Sequence, residues 1–327
     1  MTRQSIRKFF KPLYPLLDVI LSPFTLLASL LLFSIRKIRI ANMPVSKAIF
    51  KKVGVFPIIN HYNEPLFDNR LLKLPFDRDR FLPGIKWNDQ EQLGLLEKFQ
   101  FQEELVGIPF RKEKEDSNFD YDNPSFPPGD AEYLYSMIRY FKPARIIEIR
   151  SGYSTLMVQK AINGNRQWDP GCQTEHICIE PDKKPWLEKT GARIITQRVE
   201  DVPPDFFNSL EENDFLFIDS SHVVRSQGDV LYEFLEILPG LRKGVIIYVH
   251  DIYSPKDYPE KLLVADGIFW NEQYILEAFL TCNQDFKIIG SLNYLKSHYP
   301  QQMFSKLPGL GNMKDELPGS FWMRKVN

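Results

Sequence analysis

From Phe126 onward the chain alternates two periods. Short apolar runs rich in β-branched residues, the mark of strands buried on both faces, are separated by stretches with helical spacing. Pro127-Pro128-Gly129 introduces a predicted helix from Asp130 to about Phe141. Strand Arg145–Ile149 follows, then helix Ser154–Ile162, strand His176–Glu180 and a helix from Pro181-Asp182 to about Thr190. Ala192–Thr196 and Asp214–Asp219 read as strands, Gly228–Leu238 as a helix, and Gly244–His250 as a further strand. Helix Asn271–Cys282 and strands Phe286–Gly290 and Ser320–Val326 complete the series. Strands alternating with helices predict an α/β fold with a doubly wound parallel sheet. The final two strands have no predicted helix between them, so a hairpin is expected, with 293–319 as a long excursion.

Upstream the pattern differs. Residues 13–34 are strongly apolar, preceded by Arg3, Arg7, Lys8 and Lys11 and followed by Arg36, Lys37 and Arg39. Pro15, Asp18 and Pro23 interrupt the run and no small-x-small site follows, which argues against a cleaved signal peptide. The length admits one membrane-crossing helix, although basic residues at both ends leave its orientation open. The reading preferred from sequence breaks the run at Ser22-Pro23 into two short arms that dip in and return to one face. Both basic clusters then meet anionic headgroups on the cytoplasmic side of the membrane. A buried helix, or one against a partner, is the alternative. Residues 41–125 lack sustained periodicity and carry many prolines, as a cap over the main domain would, apart from a predicted helix over Asn88–Phe101 and a polar loop over Lys112–Asp122. His61, Tyr62 and Glu64 are candidate substrate contacts, each more readily read as a surface or satisfied core residue. Three regions are expected: an apolar membrane-associating segment (1–40), an accessory cap (41–125) and the α/β domain (126–327).

Composition narrows the classes. At 43% hydrophobic and 25% charged, the 327-residue chain is globular and not disordered. A formal net charge of -1 supplies no field for nucleic acid, which is not an expected partner. Cys172, Cys178 and Cys282 form no CxxC pair and read as reduced thiols.

In a doubly wound sheet, ligands sit beyond the carboxyl ends of the strands. The first strand delivers Glu148, Ser151 and Gly152 there, with Gly152 read as the residue that permits the turn and Ser154 as a helix cap. The second delivers Glu180 and Asp182, and a carboxylate at that point suits the two hydroxyls of a ribose. Asp219, Ser220, Ser221 and His222 follow the fourth strand, and His250 and Asp251 the fifth.

In order and spacing, EIRSGYSTL (148–156), CIEPD (178–182), RVEDVP (198–203), DFLFIDSSHV (214–223), the 228–251 segment and the terminal SFWMRKV together resemble a class I S-adenosylmethionine-dependent methyltransferase. The resemblance implies a Rossmann-like seven-stranded sheet whose last strand is antiparallel. It also implies a cofactor-binding set: Glu148, Arg150, Ser151, Gly152 and Tyr153 toward the methionine part, Glu180 on the ribose, Val199 and Glu200 flanking the adenine, and Asp219. The family carries Glu-x-Gly-x-Gly in the first turn, and here the first Gly position is Arg150. Arg150 either points away or pairs with the cofactor carboxylate, or it weakens binding and leaves an inactive protein. Retained binding is preferred, because the other polar groups of the pocket are present.

Asp219, His222, His250 and Asp251 also resemble the site of metal-dependent O-methyltransferases, in which Asp219 and Asp251, with His250, would hold a divalent ion such as Mg or Mn. Without a metal, His222 or His250 is the candidate general base beside Asp251. A purely bracing Asp-His network is the bland reading. Tyr253, Tyr258 and Trp270 lie in a Pro-rich loop suited either to closing over substrate or to packing on the domain. The expected function is O-methylation of a small-molecule, glycan or lipid-linked hydroxyl. Its rivals are an inactive binding protein at the membrane and a related Asp/His hydroxylase or hydrolase. RSGYST (150–155) does not supply the GxGxxG turn of a nicotinamide enzyme.

Overall fold

The computed structural model describes residues 11–38, 40–58, 72–111, 119–182, 184–266 and 268–327. His61, Tyr62 and Glu64 lie outside the described residues, as do Arg3, Arg7, Lys8 and Arg39. Two compact units form, Met1–Lys73 and Leu74–Asn327, so residues 74–125 belong to the same unit as the sheet.

In the first unit, helix α1 (Tyr14–Lys37) runs without interruption for 24 residues through Pro23. This corrects the two-arm reading, and the reason is local. A proline lacks the N–H that would bond the carbonyl four residues earlier. Here that carbonyl, Val19 O, accepts instead from the Ser22 hydroxyl at 2.9 Å. Thr25 and Ser34 likewise donate back to Leu21 O and Leu30 O, so an apolar helix hides its hydroxyls against its own backbone. None of its residues is buried. At about 36 Å it is long enough, and over its most apolar 18 residues, with a mean hydropathy of 2.2, apolar enough, to cross a membrane. Helix α2 (Pro44–Val53) carries Lys47, Lys51 and Lys52 and ends on Gly54, whose φ of 82° is the left-handed C-cap that glycine favours.

The second unit is built on seven strands: β1 (Arg145–Ile149), β2 (Glu175–Ile179), β3 (Arg193–Ile195), β4 (Phe215–Ile218), β5 (Ile246–Val249), β6 (Phe286–Ser291) and β7 (Phe321–Lys325). Their spatial order is β3-β2-β1-β4-β5-β7-β6. β1 to β5 are parallel, and β7 runs antiparallel between β5 and β6, as expected. Alternation sorts the core into two layers. Ile146, Phe215, Phe217, Tyr248 and Trp322 pack beneath α3 (Asp89–Glu97), α5 (Asp130–Phe141) and α6 (Tyr153–Trp168), with α4 (Gln102–Val106) adding Leu105. Ile147, Ile149, Leu216, Ile218, Ile247 and Val249 point the other way. They pack against α7 (Asp229–Tyr232), the π-helical turn Glu233–Ile237, α8 (Leu238–Gly240) and α9 (Glu272–Leu280).

Two departures have simple causes. The helix expected from Asp182 is only a 3-10 turn, Leu187–Thr190, because Pro185 cannot continue a helix and Glu180 accepts the Asp182 N–H. The 293–319 excursion is not irregular. It folds as α10 (Leu292–His298), α11 (Pro300–Lys306) and α12 (Pro308–Asn312), each of the last two opened by a proline at its first position.

Candidate functional site

The β1 turn is built differently from its sequence expectation. Gly152 has a φ of -161°, extended backbone open to any residue. The left-handed residue is Arg150, at φ 64°. Arg150 therefore adopts a backbone region that favours glycine, at a cost of about 1–2 kcal/mol. Its N–H still donates to Ile179 O at 2.9 Å, so the turn keeps its pairing with β2. Ser154 does not cap α6. Its hydroxyl donates to Glu148 Oε1 at 2.6 Å, while Thr155 Oγ1 accepts the Gly152 N–H and donates to the same oxygen.

A cavity of about 680 Å³ beside α5 and α6 is lined by Glu104, Arg139 and Trp168, away from the strand ends. The cavity at the strand ends, about 630 Å³, is lined by Arg150, Ser151, Gly152, Tyr153, Lys184, Trp186, Asp219 and Ser220. A Cβ added at Gly152 meets nothing within 4 Å, so glycine there leaves this space open. Arg150 also lines a second cavity of about 210 Å³, together with Asp182, Val199 and Glu200. Adjacent cavities of this size, joined at one residue and ringed by the expected set, fit an elongated nucleoside-containing ligand. Glu148 and Glu180 are the exceptions, since neither lines either cavity. Glu148 is fully buried beneath the turn, and its oxygens are taken by Ser154, Thr155 and His176. Glu180 is also fully buried. It accepts from Ser151 N, Asp182 N and Lys184 Nζ, the last at 2.6 Å. Lys184 and Trp186 carried no sequence signal, because the turn that presents them was expected to be helix.

The ends of β4 and β5 converge as expected. His222 and Asp251 also have left-handed φ values, 59° and 56°. His222 is held there because its carbonyl accepts the N–H groups of Asn271 and Glu272 at the start of α9. Its Nε2 lies 3.4 Å from Asp219 Oδ1 and 3.7 Å from Asp251 Oδ2. Its Nδ1 lies 2.8 Å from Glu272 Oε2, and Glu272 is fully buried. Glu272 has the role that sequence did not reveal, since 50 residues separate it from His222. Trp270 packs on the His222 ring at 4.3 Å, and the Tyr253 hydroxyl donates to Asp251 Oδ1 at 3.0 Å. Tyr258 is fully buried, with its hydroxyl accepting from Gln273 N, so it packs the loop onto the domain. His250 is buried, with Nδ1 2.6 Å from the Tyr248 hydroxyl and Nε2 3.8 Å from Asp251 Oδ1.

Electrostatics follows from this packing. Burial opposes charge on Asp219, yet His250, His222 and Arg150 hold its carboxyl below the usual range. Burial likewise opposes charge on His222, but hydrogen bonding to Asp219 and Glu272 and the charge of Asp251 raise it well above the usual histidine range. Burial also works against charge on His250, and the carboxylates of Asp251, Asp219 and Asp130 raise it. Among the described residues, the trio whose donor atoms all lie within 4.8 Å of one another is Glu148, His176 and Cys178. Asp219, His250 and Asp251 do not form such a group, so the strand-end residues do not fit a divalent ion in this arrangement. The three cysteines are free.

Residues 147–252 match the family model described as a methyltransferase domain. An uncharacterized protein of Archaeoglobus fulgidus is 33% identical over 141 residues, covering 41% of this chain and 62% of that protein's length. The O-methyltransferase from Bacillus cereus in complex with SAH is a structural neighbour, with 13% identity and a TM-score of 0.37 over 74% of this chain and 98% of that one. The seven-stranded order with β7 reversed, and the domain match running from β1 past the end of β5, agree. Residues 147–252 of this chain are thus similar to a methyltransferase domain, over about a third of its length.

Proposed function

We propose that this protein binds S-adenosylmethionine at the β1 turn and methylates a hydroxyl group presented beside His222. The observation that carries the reading is the continuity of the open cavity at Gly152 and Asp219 with the His222–Asp219–Asp251 cluster. The cofactor would supply an electrophilic methyl group. Val199 and Glu200 line the side of the cavity suited to the adenine, and Glu180, buried behind the Ser151 and Asp182 N–H groups, would be the carboxylate for the ribose. Lys184 holds Glu180 in the present arrangement, so it must yield or share that carboxylate when ribose binds. The Arg150 guanidinium is suited to pair with the ligand carboxylate. His222, aligned by Glu272, takes the acceptor's proton at Nε2. Trp270 on the imidazole face and the Tyr253–Asp251 bond limit the water that reaches it. Alignment of acceptor and donor would contribute most of the rate. The apolar α1 and its basic flanks support an acceptor at the cytoplasmic face of a membrane, such as a lipid-linked glycan.

Calorimetric titration of the full-length protein with S-adenosylmethionine tests the core of this reading. Saturable binding, lost in Asp219→Ala, is expected. No binding by the wild type, with binding appearing in Arg150→Gly, would leave a protein that has lost the activity.

A further inference from the structure

The sheet layer under α6 is apolar except at one place. Glu148 on β1 and His176 and Cys178 on β2 are alternate residues of paired strands, in register at Ile146↔His176 and Glu148↔Cys178. All three side chains point to the α6 side and are buried. Glu148 Oε2 lies 2.9 Å from His176 Nε2 and 3.5 Å from Cys178 Sγ, and Sγ lies 3.6 Å from Nε2. A point equidistant from these donors is about 2 Å from each, the length of zinc bonds to nitrogen and oxygen and slightly under that to sulfur. The atoms behind the donors are held in place. Ser154 and Thr155 occupy Glu148 Oε1, and the Gln159 amide sits 2.8 Å from His176 Nδ1, where with its oxygen turned to the ring it accepts the Nδ1 proton and frees Nε2 as a ligand. Such outer partners fix ligand orientation and tautomer at metal centres. A further observation points into the cluster. Ser151 Oγ is buried and lies against the Cys178 thiol.

We propose that Glu148, His176 and Cys178 bind one zinc ion between β1, β2 and α6, with Ser151 Oγ or a water at the fourth position. A thiolate, an imidazole and a carboxylate are a borderline-soft set that favours zinc over magnesium. Binding releases the thiol proton to solvent and leaves the imidazole neutral with its proton on Nδ1, donated to the Gln159 amide oxygen, and the two anionic ligands then balance the dication. The ion would tie the floor of the β1 turn to β2 and stiffen the backbone that carries Arg150 and Ser151. The role is structural and stands apart from the methyl-transfer reading.

The test uses tag-free, full-length protein, stripped with a chelator and titrated with zinc against a chromophoric competitor. One equivalent bound, a higher melting temperature on loading, and a thiolate-to-metal charge-transfer band with cobalt in place of zinc are expected. Cys178→Ser should lose the band and weaken zinc binding. Wild type that takes up no zinc, or that matches Cys178→Ser in stoichiometry and cobalt spectrum, overturns the site and leaves a hydrogen-bonded brace. Should Cys178→Ser not fold, Gln159→Leu keeps all three ligands. Zinc affinity lower by about tenfold or more supports the site, and unchanged affinity overturns it.

Discussion

Glu272 Oε2 lies 2.8 Å from His222 Nδ1, leaving the opposite ring nitrogen to face Asp219 and Asp251. A carboxylate behind an imidazole fixes its tautomer and stabilises its charged form. His222→Ala is therefore expected to lower kcat by about 10² to 10⁴-fold. Glu272→Gln should lower kcat with little change in cofactor affinity, since Glu272 does not line the cavity. Steady-state kinetics with isothermal binding separates the two effects, and equal loss of binding in Glu272→Gln would point to a merely structural role.

The pH dependence follows from the same pair. With its pKa raised well above the ordinary histidine range, His222 keeps its proton to higher pH than a free imidazole and accepts another only when neutral. Activity should rise with pH through an apparent value above 6.5, and Glu272→Gln should move that value downward. The stabilisation from this raised histidine is fully present below the unfolded value and is lost as pH rises through the folded one. A rate profile already flat at pH values below 6.5 would contradict the assignment.

Arg150 is the next point of test. Arg150→Gly removes the left-handed penalty of about 1–2 kcal/mol and adds back roughly 0.5–1 kcal/mol of unfolded-chain entropy. The melting temperature should stay level or rise slightly. Cofactor affinity should fall if the guanidinium pairs with the ligand carboxylate. Calorimetry on both proteins reads this directly, and tighter binding by the glycine variant would show that the arginine obstructs the site.

Glu233 is buried with no hydrogen-bond partner at either oxygen. Burial, with the charges of Glu272 and Asp229 nearby, raises its pKa well above the usual carboxyl range. The folded state thus holds a proton that the unfolded chain gives up, so stability falls as pH rises from the unfolded value toward the folded one. Glu233→Gln should be more stable than wild type, by a margin that widens across that window. Denaturant melts at several pH values would show a constant margin if Glu233 were instead ionised.

The N-terminal helix is tested by fractionation. Full-length protein is expected in the membrane pellet, and a chain starting at Asn42 in the soluble fraction. Equal partition of the two would remove the membrane reading.

Much of the architecture was legible because buried parallel strands must be continuous and β-branched, a local signature that survives in IIEI, FLFI and VIIYV (residues 146–149, 215–218 and 245–249). The strand-end acids and histidines were legible because the site of such a sheet is set by topology. Glu272 was not legible, since its pairing with His222 depends on where α9 begins. The helix expected from Asp182 fails at Pro185, which has no N–H to give to a helical turn. The continuity of α1 through Pro23 depended on which carbonyl the Ser22 hydroxyl would take.

What the sequence by itself determined was the order of elements, the sheet class and the edge on which polar groups gather. These follow from periodicity and burial, which are properties of neighbouring residues. Tertiary structure alone decided which groups meet. Register set Glu148 beside His176 and Cys178, and the turn after β4 placed His222 between Glu272 and two aspartates. It also decided that Arg150, and not Gly152, takes the left-handed position, because that backbone must turn while its N–H stays bonded to Ile179.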